Sequence, residues 1–179
     1  MTTNNWAVFE KAEPDFAAAV RARFAQFPHH VLATLRKDGS PRATGLNVEI
    51  RGGELWLGMM PGSMKGKDLR RDPRFALHTN PGADEAMPDG DVRIAGRAVE
   101  IVEQPELHRY AEEAEENDTP HPFDLFRAEL TEVVHVGVEG DDLVVRSWTP
   151  EHGLRTLRRG NDDEPAREEP AAGEEPAAG

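Results

Sequence analysis

The residues best placed for chemistry lie between Glu54 and Asn80, in the run ELWLGMMPGSMKGKDLRRDPRFALHTN. It reads as a strand, a Gly-containing turn, a short basic helix and a second strand. Ser63 stands where a hydroxyl caps a helix N-terminus. Lys65, Lys67, Arg70 and Arg71 follow within two turns. Free backbone N–H groups and the helix dipole attract an anion there, and a lysine adds full charge. A phosphate monoester wants this set: a cation, a helix N-terminus and a hydroxyl. A solvated basic helix joining two strands would carry the same residues, so the stretch alone leaves both readings open.

Other chemistries have less to work with. The chain has no cysteine, which removes disulfides, Cys-ligated zinc, thiolate catalysis and dithiol redox chemistry. It has no G-x-S-x-G elbow and no H-E-x-x-H pair. His29, His30, His78, His108, His121, His135 and His152 are scattered without metal-ligand spacing. His78 and His135 fall on strands and could face a cavity, but for a lone histidine a structural role is the better reading.

The elements that must position Lys65 and its neighbours follow from pattern. Residues 1–13 read as a flexible arm. Pro14 suits the first turn of a helix, and Phe16, Val20 and Phe24 recur at helical spacing over residues 14–26. His29–Arg36 and Pro41–Ile50 alternate as strands about the turn Lys37-Asp38-Gly39-Ser40. Arg51-Gly52-Gly53 turns into Glu54–Met60, the strand before the basic helix, and Pro73 ends that helix ahead of the strand Arg74–Thr79. Residues 80–90 read as a loop, and Asp91–Val102 as a long strand with Gly96 at a bend. A helix over Gln104–Glu116, a loop, a helical turn over Phe123–Leu130, the hairpin Glu132–Thr149 and a short strand near His152–Arg158 complete the body. The pattern predicts a mainly β, α+β fold: an antiparallel split barrel of six to seven strands with two or three peripheral helices. No G-x-G-x-x-G and no parallel strand–helix alternation suggest a Rossmann unit.

At 179 residues this is one domain, residues 14–159, with appendages. Residues 160–179 contain EEPAAG twice and little to bury, so they read as a disordered acidic tail. The net charge of −13 argues against non-specific nucleic-acid binding. Because much of that charge lies outside the tail, a local basic cluster is informative. No run is long and apolar enough for a membrane span, and MTTNNWAVFEK lacks the plan of a secretory signal. The expectation is a cytoplasmic protein.

The run LATLRKDGSPRATGLNVEIRGGELWLGMMPGSMKGKDLRRDPRFALHT, followed by DVRIAGRAVEIVE and LVVRSWTPEHGLRTLRR, closely resembles the pyridoxamine 5′-phosphate oxidase-like superfamily. This is the FMN-binding split-barrel group, which includes actinobacterial members using the deazaflavin coenzyme F-420. The resemblance covers about residues 31–158 and lies in the order of motifs more than in any one. It implies roles by position. Lys65 matches the cation on the cofactor phosphate and Ser63 its hydroxyl neighbour. Gly58 and Met59 match strand-end residues near the ring and ribityl portion. Thr44 and Arg42 fall on the second strand's cofactor-contacting side, and Leu35 and Arg36 end the first strand nearby. Trp148 matches a Trp that closes the pocket, generally from the partner subunit, with Arg155 or Arg158 adding charge. Met64 stands in place of a usual Arg, with Lys67 as a compensating charge, and Asp68 stands where Asn is common.

The resemblance implies an FMN- or coenzyme F-420-dependent oxidoreductase, a homodimer with cofactor at the interface, acting on a small organic substrate by hydride transfer. The cofactor carries the chemistry, so no side chain need be a catalytic acid or base. The other reading is a split barrel that holds FMN or haem without turnover, as a reservoir, sensor or stress protein. FMN needs only the Lys65 corner. The polyanionic tail of coenzyme F-420 would want a longer basic groove, which Arg36, Arg42, Lys65, Lys67, Arg70 and Arg71 could supply.

Overall fold

The computed structural model describes residues 4–82, 89–113 and 122–170. Its strands are built from hairpins whose turns the sequence dictates. β1 (His30–Leu35) and β2 (Pro41–Leu46) pair antiparallel from His30↔Leu46 to Leu35↔Pro41. Gly39 closes their turn at φ +84°, a conformation that favours glycine. Only Asn47 separates β2 from β3 (Val48–Arg51), which turns through Gly52 and Gly53 into β4 (Glu54–Met59).

α3 (Met64–Arg71) then leads to β5 (Arg74–His78), which pairs with β1 on one edge and β6 (Asp91–Ile101) on the other. α4 (Gln104–Glu113) follows, then the 16-residue β7 (Asp124–Glu139), β8 (Asp142–Thr149) and β9 (Gly153–Arg159). The register of β6 against β7 shifts between Ala95 and Gly96. A Cβ on Gly96 would lie 2.2 Å from the Glu129 carbonyl oxygen, so this bulge needs a residue without one.

β7 is where the sheet divides. One of its edges carries β6 along Leu125–Val136. The other is shared: Asp124–Arg127 pairs with β4, and Val133–Glu139 pairs with β8. The strand order runs β9-β8-β7-β6-β5-β1-β2, with the β3–β4 hairpin attached to β7. β2 and β4 do not pair, so the antiparallel split barrel stays open along that seam. Ten strands and four helices are found among the described residues, more than the six or seven strands expected.

Burial explains the rest. α2 (Pro14–Ala25) turns Phe16, Ala17, Val20 and Phe24 onto a core that includes Leu32, Leu57, Leu77, Ile94 and Leu130. A second, smaller cluster of Trp56, Ile101 and Leu125 lies beneath Leu107 and Tyr110 of α4, with Phe123.

Three segments depart from the sequence reading. The expected arm at residues 1–13 contains α1 (Trp6–Ala12), capped by Asn5 and with Trp6 and Phe9 fully buried. Ala7 N–H donates to the Gly53 carbonyl (2.9 Å) and Leu130 N–H to the Asn4 carbonyl (2.7 Å), so the N-terminal end of α1 is fastened to the sheet. Phe123–Leu130 is no helical turn; residues 124–130 open β7. In the tail, Arg167–Glu169 forms β10 and pairs with β9. Residues 114–116 of the helix expected over Gln104–Glu116 and 171–179 of the tail lie outside the described residues.

Candidate functional site at the N-terminus of α3

α3 bridges the open seam. Ser63 is its N-cap: the hydroxyl accepts from Gly66 N–H at 3.2 Å, and the Ser63 carbonyl accepts from Lys67 N–H at 3.0 Å. The N–H groups of Met64 and Lys65 precede the first intrahelical bond and are left without an acceptor inside the helix. A Cβ on Gly66 would lie 3.2 Å from Asp124 Oδ2 and from Ser63 Oγ, and 3.3 Å from Met59 Sδ. The first turn therefore packs tightly against the ends of β4 and β7. Asp124 fills that side of the terminus, accepting from Gly62 N–H (3.1 Å) and pairing with Arg70 (2.9 Å).

Asp68 anchors the middle of the helix. It is 1% exposed. Its Oδ2 accepts from Arg42 Nε at 2.6 Å and Thr34 Oγ1 at 3.0 Å, and its Oδ1 from Arg71 at 3.1 Å. Burial pushes its pKa up, but the Arg42, Arg71 and Thr34 hydrogen bonds outweigh it and hold the carboxyl below its ordinary value. Arg71 also donates to the Leu35 carbonyl. Asp68 thus ties α3 to β1 and β2, and its charge is neutralised internally.

Lys65 is differently placed. Its half-buried ammonium donates to the Gly45 carbonyl at 2.6 Å, on the sheet-edge strand β2. No carboxylate pairs with it among the described residues, and burial lowers its pKa. The preceding residue on β2, Thr44, shares a face with Arg42 and Leu46. Its hydroxyl is buried and has no hydrogen-bond partner among the described residues. A cation without a counter-ion is thus held on β2 at the residue next to one whose buried hydroxyl has no partner. Met60 and Met64, both exposed, border them.

Of the expected site residues, Ser63 and Lys65 open α3, and Lys65 reaches β2 at Gly45, next to Thr44. Arg42 is adjacent but committed to Asp68. Arg36 donates to the Pro41 carbonyl at 3.0 Å in its own hairpin. Lys67 is exposed and, two residues from Lys65, lies on the opposite side of the helix, so it does not replace the missing arginine at Met64. Met59 is buried in the barrel, while Gly58 faces away from α3, where its Cβ would meet the Tyr110 hydroxyl of α4 at 3.7 Å. Trp148 is 2% exposed and packs on Phe9 at 4.8 Å between ring centroids, so it belongs to this chain's own core. Arg155 and Arg158 pair with Glu168 and Glu169 of the tail.

What sequence reasoning missed is the Asp68 anchor. Its signal was present: Thr34 and Arg42 are polar residues at positions alternating with the inward Leu32 and Leu46. Polar residues on a core-facing strand face need partners.

A family model for pyridoxamine 5′-phosphate oxidase matches residues 16–137. The chain belongs to that family. A search of the curated proteins found no match. Among solved structures, Campylobacter jejuni ChuZ is similar at 13% identity and TM-score 0.60, over 82% of this chain and 65% of that one. A Mycobacterium smegmatis heme binding protein is similar at 18% identity and TM-score 0.51, over 80% and 88%. A Listeria innocua protein named for pyridoxamine 5′-phosphate oxidase is similar at 16% identity and TM-score 0.53, over 65% and 94%. At these identities the similarities establish the shared fold of the family. Among the described residues no helix is long and apolar enough to cross a membrane.

Proposed function

We propose that this family member is a cytoplasmic FMN- or coenzyme F-420-dependent oxidoreductase acting on a small organic substrate. The observation that carries the reading is that Lys65 has no carboxylate partner and reaches β2 next to Thr44, whose buried hydroxyl has no partner among the described residues. A half-buried ammonium facing only a carbonyl, beside a buried hydroxyl with no partner, is costly unless an anion completes it. A phosphate group fits this donor set: Lys65, the Thr44 hydroxyl and the free N–H groups at the start of α3. Either cofactor, when bound, supplies hydride transfer at its ring system.

The chain's own residues do the holding. Lys65 supplies the charge, Ser63 keeps the helix start in place, and Asp68 fixes α3 over the seam. Exposed Met60 and Met64 offer apolar surface for a ring system and for a second copy of the chain, so the working unit is a homodimer with the cofactor between subunits. FMN is favoured over coenzyme F-420, because Arg36, Arg42, Arg70 and Arg71 are already committed to partners within the chain. That leaves no extended basic groove for a polyanionic tail.

The alternative is a split barrel that retains FMN without turnover. A haem version of it finds no support at α3, where no histidine is among the residues just described. Titration of the apo-protein with FMN and with coenzyme F-420, followed by fluorescence, tests the site. Turnover of enone or quinone acceptors by the reduced complex tests the activity. Binding without turnover would favour the retaining protein, and binding of neither cofactor would overturn both.

A further inference from the structure

The second cluster of cations lies on β9, whose sequence GLRTLRR carries Arg155, Arg158 and Arg159. β9 would end the sheet but for β10, which covers only part of it through the pairs Arg167↔Arg158, Glu168↔Leu157 and Glu169↔Thr156. Every residue of β10 is exposed, so no buried apolar side chain holds it. Charge holds it instead. Arg155 grips Glu168 through two hydrogen bonds, Nε to Oε1 at 2.6 Å and Nη2 to Oε2 at 2.9 Å. Arg158 grips Glu169 and also Glu139 of β7, the latter at 2.5 Å. Arg167 lies 4.0 Å from Asp142.

This is strand addition with its ligand already in place. Backbone pairing to an open edge gives affinity, and side chains at alternate positions give selectivity. Here the selecting groups are two guanidiniums spaced to take adjacent carboxylates. Exposed ion pairs of this kind are weak individually. The tether of residues 160–166 makes up the difference, because a short linker presents its own segment at an effective concentration on the order of millimolar. A segment held mainly by its tether can be displaced by a free segment of the same chemistry.

We propose that the β9 edge is a docking site for an extended, acidic protein segment bearing adjacent carboxylates, and that β10 is the chain's own removable occupant of it. The occupant keeps an open edge from pairing indiscriminately and sets the threshold a partner must exceed. This inference does not depend on the cofactor reading.

The test uses the full chain and a fluorescein-labelled peptide of residues 164–173, EPAREEPAAG. The E168Q/E169Q double variant weakens the internal occupant and leaves the arginines intact. It should bind the peptide at least about fivefold more tightly than the wild-type chain, as expected when a tethered competitor at near-millimolar effective concentration is lost. Binding should weaken as salt is raised. It should vanish when Arg155→Ala and Arg158→Ala are added, or when Gln replaces both adjacent Glu of the peptide. Equal affinity of the wild-type and double-variant chains, no binding by the double variant at millimolar peptide, or binding that survives loss of both arginines would each overturn the proposal.

Discussion

α3 and β9 are both rich in cations, but the chain satisfies them in opposite ways. In α3, Arg70 and Arg71 pair with Asp124, Glu100 and Asp68 from within the folded body, and Asp68 is fully enclosed. In β9, Arg155 and Arg158 pair with exposed glutamates of the tail eleven to thirteen residues on, and Arg158 also with the exposed Glu139. The first arrangement is part of the architecture, because it is built around Asp68, a charge with no access to water. The second is an exchangeable contact, because water can replace either side. Lys65 belongs to neither group: it is half-buried, and no carboxylate pairs with it among the described residues. That contrast is what supports the proposal that Lys65 holds the cofactor phosphate.

The comparison can be broken most sharply at Asp68. Asp68→Ala removes the enclosed carboxylate and leaves Arg42, itself 19% exposed, without its partner, so the loss should fall short of a fully buried pair, at about 2–3 kcal/mol. Denaturant unfolding should show a loss of this size; a loss below about 1 kcal/mol would remove Asp68 from the architecture. Lys65→Ala should leave stability nearly unchanged and weaken FMN binding at least about tenfold, or about 1.5–3 kcal/mol for a charge-assisted contact. An unchanged dissociation constant would return Lys65 to the structural group.

Acid gives a third contrast. Asp68 is held below its ordinary 3.8 in the folded chain, so the unfolded chain takes up the proton first. The stability it contributes is complete above about pH 4 and is lost as pH falls toward its folded value. Asp68→Asn should flatten that limb of a stability-versus-pH curve, and an unaltered limb would assign it elsewhere. The smallest effect belongs to the tail. Glu168→Gln with Glu169→Gln should leave the thermal midpoint of the body where it is, since these contacts are exposed. A clear drop would make β10 structural.

Much of this was legible in sequence where local chemistry decides. Asp38-Gly39 and Gly52-Gly53 mark hairpins, Ser63 caps α3, Pro73 follows it, and Gly96 marks the bulge. The misreading of β7 comes from burial on two sides. Leu125 packs under α4 while Phe126 faces the main core, so the first half of β7 lost the alternation that identifies a strand. Phe123, Phe126 and Leu130 then mimicked helical spacing. α1 was missed because so short a helix depends on tertiary packing and carries little signal of its own. Trp148 resembled a pocket residue in motif, but its position over Phe9 depends on α1. The contact of Lys65 with Gly45, next to Thr44, depends on β2 having one edge open at the seam, a fact of topology that spacing does not encode.

β7 carries a consequence for how the protein is made. β4 has only its hairpin partner until residues 124–127 arrive, and β6 has only β5 until residues 125–136 arrive. A ribosome therefore delivers more than two thirds of the chain before its strands can find their full set of neighbours. Until then Leu57, Ile94 and the helices above them must wait in a form that nascent-chain chaperones would recognise, and the barrel must assemble in one late step rather than strand by strand.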